Sequence, residues 1–90
     1  MTFGPDAKID RGHMVAPHQQ LVAILKARIE RGDYQPGRAI PSVAQLIQEF
    51  ELGRDTVRKA IKAMSDEGIL VVIAGRGAYV VEDYPKRGTR

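Results

Sequence analysis

The sequence predicts an α+β fold in which three helices are followed by a two-stranded antiparallel hairpin. Three observations predict it. Apolar residues recur at helical spacing in three separate stretches, around Leu21 to Ile29, Val43 to Phe50 and Val57 to Met64. Ser42 followed by Gln45 forms a capping box at the head of the second stretch. The period then changes, because Ile69 to Ala74 and Ala78 to Val81 are apolar and rich in β-branched residues on either side of Gly75-Arg76-Gly77.

Each element follows in order. Residues 1–16 hold Gly4, Pro5 and Gly12 and show neither period, so they are expected to form a flexible N-terminal arm. Met14 within it is an alternative start. Pro17 suits the first turn of a helix, where its missing N–H costs nothing. Leu21, Leu25 and Ile29 make one stripe that Ile24 widens, while Lys26, Arg28, Glu30 and Arg31 lie off its centre. Gly32 is the expected stop and Pro36-Gly37 the turn beyond it. Tyr34 is expected to pack on the first helix, and Ile40 to add a short strand or edge contact.

The second helix is expected to bury Val43, Leu46, Ile47 and Phe50, with Glu51-Leu52-Gly53 as a turn and Leu52 as the apolar plug beneath it. The third runs from about Arg54 to Glu67, with Val57, Ala60, Ile61 and Met64 on its buried face. Arg54, Arg58 and Lys62 fall at i, i+4, i+8 on another face, with Lys59 nearby. Like charges so spaced repel along an isolated helix, which points to a negatively charged partner. Gly68 is the expected end of this helix. The strand Ile69–Ala74 is an aggregation hazard if left bare, so it is expected to be paired and packed on the helices.

Composition narrows the function. Ninety residues make one small core, and 43% hydrophobic with 28% charged residues is ordinary for a folded domain. No cysteine is present, so disulfides and thiolate metal sites are excluded, in keeping with a reducing cytosol. The longest apolar run is too short to span a bilayer, and the N-terminus lacks a signal-peptide layout, so no membrane role and a cytoplasmic, nucleoid-associated location are expected. His13 and His18 have no acidic or cysteine neighbours at metal-ligand spacing; no metal and no cofactor are expected. Nor is there a paired carboxylate or a nucleophile beside a base, so catalysis is not expected.

The formal net charge is only +3, but its distribution is uneven. Between Gly53 and Met64 stand four basic residues (Arg54, Arg58, Lys59, Lys62) against Asp55 alone. The acids gather at Glu49/Glu51, Asp66/Glu67 and Glu82/Asp83. A basic stripe bounded by acids is a localised footprint for a polyanion. Helix, turn, basic helix and hairpin in that order describe a winged helix-turn-helix. Such a unit presents the N-terminal residues of its second helix to base edges in the major groove.

Arg54, Asp55, Thr56 and Arg58 would hold that position. An arginine fork on guanine is worth roughly 1–3 kcal/mol of discrimination. Thr56 suits a phosphate or a thymine methyl, and Asp55 a cytosine amino group or an arginine. Lys59 and Lys62 are candidate phosphate contacts, with plain solvation equally weighted. Ser42 is a cap first and a phosphate contact second. Arg76 and Gly77 form a wing tip, because flanking glycines permit close approach to a groove. Gly75-Arg76-Gly77 does not suit a nucleotide loop, since no helix follows it.

The sequence resembles the GntR-type winged helix-turn-helix of bacterial transcription regulators from about His18 to Val81. The marks are Leu25…Ile29-x-x-Gly32, Pro36-Gly37, Ile40-Pro41-Ser42, Leu46, Arg54-x-Thr56-Val57-Arg58-x-Ala60, Glu67-Gly68 and Gly75-Arg76-Gly77-x-Tyr79-Val80. The resemblance implies that Arg54, Thr56 and Arg58 contact DNA and that Arg76 and Gly77 enter the adjacent minor groove. It departs from the family pattern at Val43-Ala44, where Glu-Arg is usual and the arginine commonly contacts DNA. It departs again at Glu51, usually glycine, and at Gly53, usually a serine cap.

The expected organisation is therefore an arm (1–16), a winged helix-turn-helix (17–81) and a tail or linker (82–90). Only nine residues follow Val81, so no effector domain is expected within the chain, which reads either as a natural single domain or as part of a longer regulator. The expected partner is double-stranded DNA, bound as a homodimer on a pseudo-palindromic operator. The alternatives are a winged-helix protein-interaction module and a non-specific nucleoid or plasmid-maintenance DNA binder.

Overall fold

The computed structural model describes residues 3–84; the part of the expected tail at 85–90 and the first two residues of the arm lie outside the described residues. The element order is α1 (Pro17–Arg31), α2 (Val43–Phe50), α3 (Arg54–Asp66), β1 (Leu70–Ile73) and β2 (Gly77–Val80). Local chemistry sets the helix ends. Pro17 opens α1, and Gly32 closes it at φ 98°, its N–H reaching Arg28 O and Ile29 O. Ser42 and Gln45 complete the capping box at α2: Gln45 N donates to Ser42 Oγ (3.1 Å) and Ser42 N to Gln45 Oε1 (2.8 Å). Gly53 precedes α3 with no side-chain cap, leaving Asp55 in the first turn to complement the helix dipole. At the far end Glu67 is still right-handed and Gly68 takes φ 81°, the reversal that a glycine permits most cheaply.

The helices enclose one core. Leu21, Ile24 and Leu25 of α1, Leu46 of α2 and Val57, Ala60 and Met64 of α3 are fully buried, with Leu52 as the plug under the turn. Burying a leucine-sized side chain is worth roughly 1.5–3 kcal/mol, so these residues hold the helix angles. In α2, Leu46 and Phe50 are buried, whereas Val43 and Ile47 are half-buried at the core's edge.

The hairpin pairs Leu70 with Val80, Val71 with Tyr79, Val72 with Ala78 and Ile73 with Gly77. Its turn closes with Arg76 N on Ile73 O at 2.9 Å. A third segment joins the sheet beside β2, where Ala39 bridges Tyr79 and Ile40 N donates to Ala78 O (2.9 Å). The edge contact expected at Ile40 is thus present, and the fold is the winged helix-turn-helix of the sequence reading.

Two expectations need correction. The strand from Ile69 was expected to pack along its length on the helices; Ile69 and Leu70 do, but Val71, Val72 and Ile73 are 47%, 55% and 40% exposed. Beyond Leu70 the β1 side chains are open to solvent, although Ala78 opposite Val72 is buried in the core.

The N-terminal segment was expected to form a flexible arm; in the structure residues 3–15 lie along α1. Phe3, Ala7 and Ile9 pack against the core's edge. Gln20, 0% exposed, accepts from Asp10 N (2.8 Å) and donates to Asp10 O (2.8 Å) and Val15 O (2.7 Å). A buried amide with unmet donors would cost about 1–3 kcal/mol, and the segment supplies its partners.

Candidate nucleic-acid interface

The buried stripe of α3 turns the opposite side of that helix outward. Arg54, Asp55, Arg58, Lys59 and Lys62 are all exposed, and Thr56 is half-buried between the two faces. The side chains of Arg54, Arg58 and Lys59 make no hydrogen bond or ion pair with any described residue, so their charge stands unneutralised. Lys62 differs, since its Nζ lies 3.3 Å from Asp66 Oδ2 one turn on. At the same end Lys26 of α1 holds Glu67 at 2.8 Å. The acids at the C-terminal end of α3 therefore have cations of their own, and free positive charge concentrates on the first two turns.

The wing tip stands at the end of the hairpin beyond α3. Gly75 and Gly77 have φ of 79° and 123°, which side-chain-bearing residues rarely adopt. No atom of the chain lies within 4 Å of a Cβ built at either glycine, so backbone conformation, not crowding within the chain, demands glycine here. Arg76 between them is exposed, and its guanidinium lies over the Tyr79 ring at 5.8 Å. Ser42 sits at the head of α2 with its oxygen occupied as the cap, while its hydroxyl proton remains available as a donor. Between α3 and the wing runs an open groove of about 450 Å³ lined by Arg58, Lys62, Ser65 and Asp66 together with Val43, Ile61 and Val72.

The structure thus brings Arg54, Asp55, Thr56, Arg58, Lys59 and Lys62 onto one helix, with Arg76 and Gly77 on the neighbouring hairpin. Val43 and Ala44 open α2 with no cation in its first turn.

Sequence reasoning missed a second cluster behind this face. Arg28, 13% exposed, donates to Glu49 of α2 (2.7 and 3.2 Å), to Tyr34 Oη (3.1 Å) and to Pro5 O (2.8 Å). Its guanidinium also lies over the Phe50 ring at 5.1 Å. The hydrogen bonds to Glu49 and Tyr34 raise its pKa further above the ordinary arginine value, so it is a permanent cation. Its off-stripe position on α1 was the available signal, but its partners are six to twenty-three residues away in sequence. Among the described residues, no group of three or more His, Cys, Asp or Glu is placed to hold a metal ion, and no helix is long and apolar enough to cross a membrane.

The chain matches known proteins over this same region. Residues 17–80 match the family model described as bacterial regulatory proteins, gntR family. The chain is 36% identical over 66 residues to the mannosyl-D-glycerate transport/metabolism system repressor MngR of Escherichia coli, covering 73% of this chain and 28% of the relative. It is 39% identical over 69 residues to the Exu regulon transcriptional regulator of Escherichia coli, covering 77% of this chain and 27% of the relative. It spans less than a third of the length of these relatives.

Among solved structures, AraR(DBD) in complex with operator ORR3 superposes with a TM-score of 0.74 at 30% identity, over 77% of this chain and 83% of that one. A GntR family transcriptional regulator from Listeria monocytogenes gives a TM-score of 0.74 at 26% identity, over 78% of this chain and 61% of that one. With the family model matched over residues 17–80 and the same fold in these neighbours, the chain belongs to the gntR family of bacterial regulatory proteins.

Proposed function

We propose that this chain is the DNA-reading module of a bacterial transcription regulator that binds duplex DNA sequence-specifically in the cytoplasm. The single observation that carries the reading is the uncompensated charge of Arg54, Arg58 and Lys59 on the outward face of α3, beside the Arg76 wing tip. The likeness to AraR(DBD) bound to its operator supports it. Arg54, Thr56 and Arg58 read base edges in the major groove, and Asp55 orients an arginine or accepts from a cytosine. Arg76 and Gly77 follow the adjacent minor groove. Lys59, Lys62 and Ser42 hold phosphates, and the strand between the two grooves crosses the channel flanked by Arg58 and Lys62. The module works non-catalytically, as one of two copies on a pseudo-palindromic site.

Selection of binding sites from random duplexes, followed by titration at two salt concentrations, tests the reading. The expected result is a preferred sequence bound well above random DNA, with Arg54→Ala and Arg58→Ala each costing roughly 1–3 kcal/mol at that site. Equal affinity for all sequences with steep salt dependence would favour a non-specific DNA binder instead. The bare Val71, Val72 and Ile73 of the wing favour a second reading, a protein-interaction module. Absence of DNA binding even at low salt would sink both DNA readings and leave that one standing.

A further inference from the structure

The C-terminal end of α2 is assembled against the usual electrostatics of a helix. Its last turn holds no basic residue, and it carries Glu49 there and Glu51 at the C-cap. A helix C-terminus bears partial negative charge on its unpaired carbonyls, so acids at that end are unfavourable and cations favourable. Glu51 is also the one non-glycine residue with positive φ among those described, at φ 56° and ψ 43°. That region is sparsely populated by residues with a Cβ. Only Glu51, Leu52 and Gly53 separate α2 from α3, so the backbone of Glu51 governs the angle at which α3 leaves the turn.

Two arginines from outside the helix-turn-helix meet this end. Arg28 of α1 pairs with Glu49, as described above. Arg11, from the N-terminal segment, donates through Nη2 to the Glu51 carbonyl. Arg11 follows directly on Asp10, whose N–H and carbonyl are both held by the buried amide of Gln20. The segment therefore joins the first turn of α1 to the turn that launches α3.

We propose that Arg11 is a positioning residue that caps α2 from the N-terminal segment and fixes the Glu51–Gly53 turn, and with it the angle of the DNA-facing helix. The proposal rests on the DNA-reading role of α3 for its functional consequence, and on the turn alone for its structural one. Arg11 itself touches no DNA. Its loss frees the Glu51 carbonyl, lets Glu51 relax towards more populated backbone angles and loosens the start of α3.

Two measurements on the full chain test this. In the first, amide hydrogen exchange compares the wild type with Arg11→Ala. Exchange at Val57 and the next amides of α3, the first with acceptors in that helix, should accelerate at least tenfold while Ile24 and Leu25 in α1 stay unchanged; unchanged exchange at the start of α3 overturns the proposal whether or not the protein binds DNA. In the second, affinity is measured for a duplex selected from random DNA, at a temperature where circular dichroism shows the variant fully folded. Arg11→Ala should lose about tenfold, with the salt slope unchanged. Arg11→Lys should restore most of the loss, because lysine can still reach a carbonyl. In an Glu51→Gly background the loss from Arg11→Ala should shrink to threefold or less, since glycine adopts this conformation without help. A salt slope lower by about one would mean that Arg11 contacts a phosphate and would overturn the proposal. So would full affinity in Arg11→Ala. Failure of the wild type to bind any duplex defeats the DNA reading and leaves the exchange result to decide on Arg11.

Discussion

Arg28 shows how one side chain can tie a small domain together. It is a permanent cation whose contacts reach the N-terminal segment at Pro5, the loop after α1 at Tyr34 and the end of α2 at Glu49 and Phe50. Replacing it with methionine keeps the aliphatic packing on Phe50 but removes the donors to Glu49, Tyr34 and Pro5. Charged hydrogen bonds of this sort are worth about 1.5–3 kcal/mol each, but Glu49 can regain water, so the expected net loss for Arg28→Met is about 1–3 kcal/mol, measured by urea denaturation.

Arg31 and Asp33 make a more exposed pair, 2.6 Å apart, whose hydrogen bond holds the Asp33 carboxyl below the usual carboxylate range. A depressed acid pKa stabilises the fold at pH values above the unfolded pKa. That contribution is lost as pH falls through the lower folded value. The melting-temperature gap between wild type and Asp33→Asn should therefore be small at pH 7 and shrink as pH falls below the ordinary carboxylate range. A gap that widened on acidification would contradict this assignment.

At the level of elements, what sequence reveals depends on how local the cause is. The Ser42–Gln45 box is two residues acting on one another within a turn, and it forms as the spacing predicts. Ser42→Ala should cost about 0.5–2 kcal/mol, read from thermal unfolding. The buried stripe of α3 and the glycine-flanked wing tip are equally local, which is why the candidate DNA face was legible residue by residue. The wing's apolar strand was not. A β-branched run reads the same whether a helix covers it or it projects, and how far a hairpin extends past the helices is a tertiary fact. The N-terminal segment was also illegible, since it has no period of its own. Its order depends on Gln20, Arg28 and the α2 terminus, ten to forty residues away in sequence.

The whole molecule divides its charge by function. Acids at the far end of α3 and at the end of α2 are met by Lys26, Lys62 and Arg28, whereas Arg54, Arg58 and Lys59 face outward unmet. Uncompensated charge is a cost to the free protein and becomes favourable only on a polyanion. α2 opens with Val43 and Ala44 and adds no cation to this face, so on the proposed reading affinity rests on α3 and the wing. The measurement that tests this most directly is the affinity of wild type, Arg54→Ala and Arg58→Ala for a selected duplex and for random DNA, across a range of salt concentrations. The prediction is a selected site preferred by at least 10³-fold, as specific readers typically show, with both variants losing most of that preference while remaining folded. Variants that bind the selected site as tightly as the wild type would contradict the assignment of α3 as the reading helix.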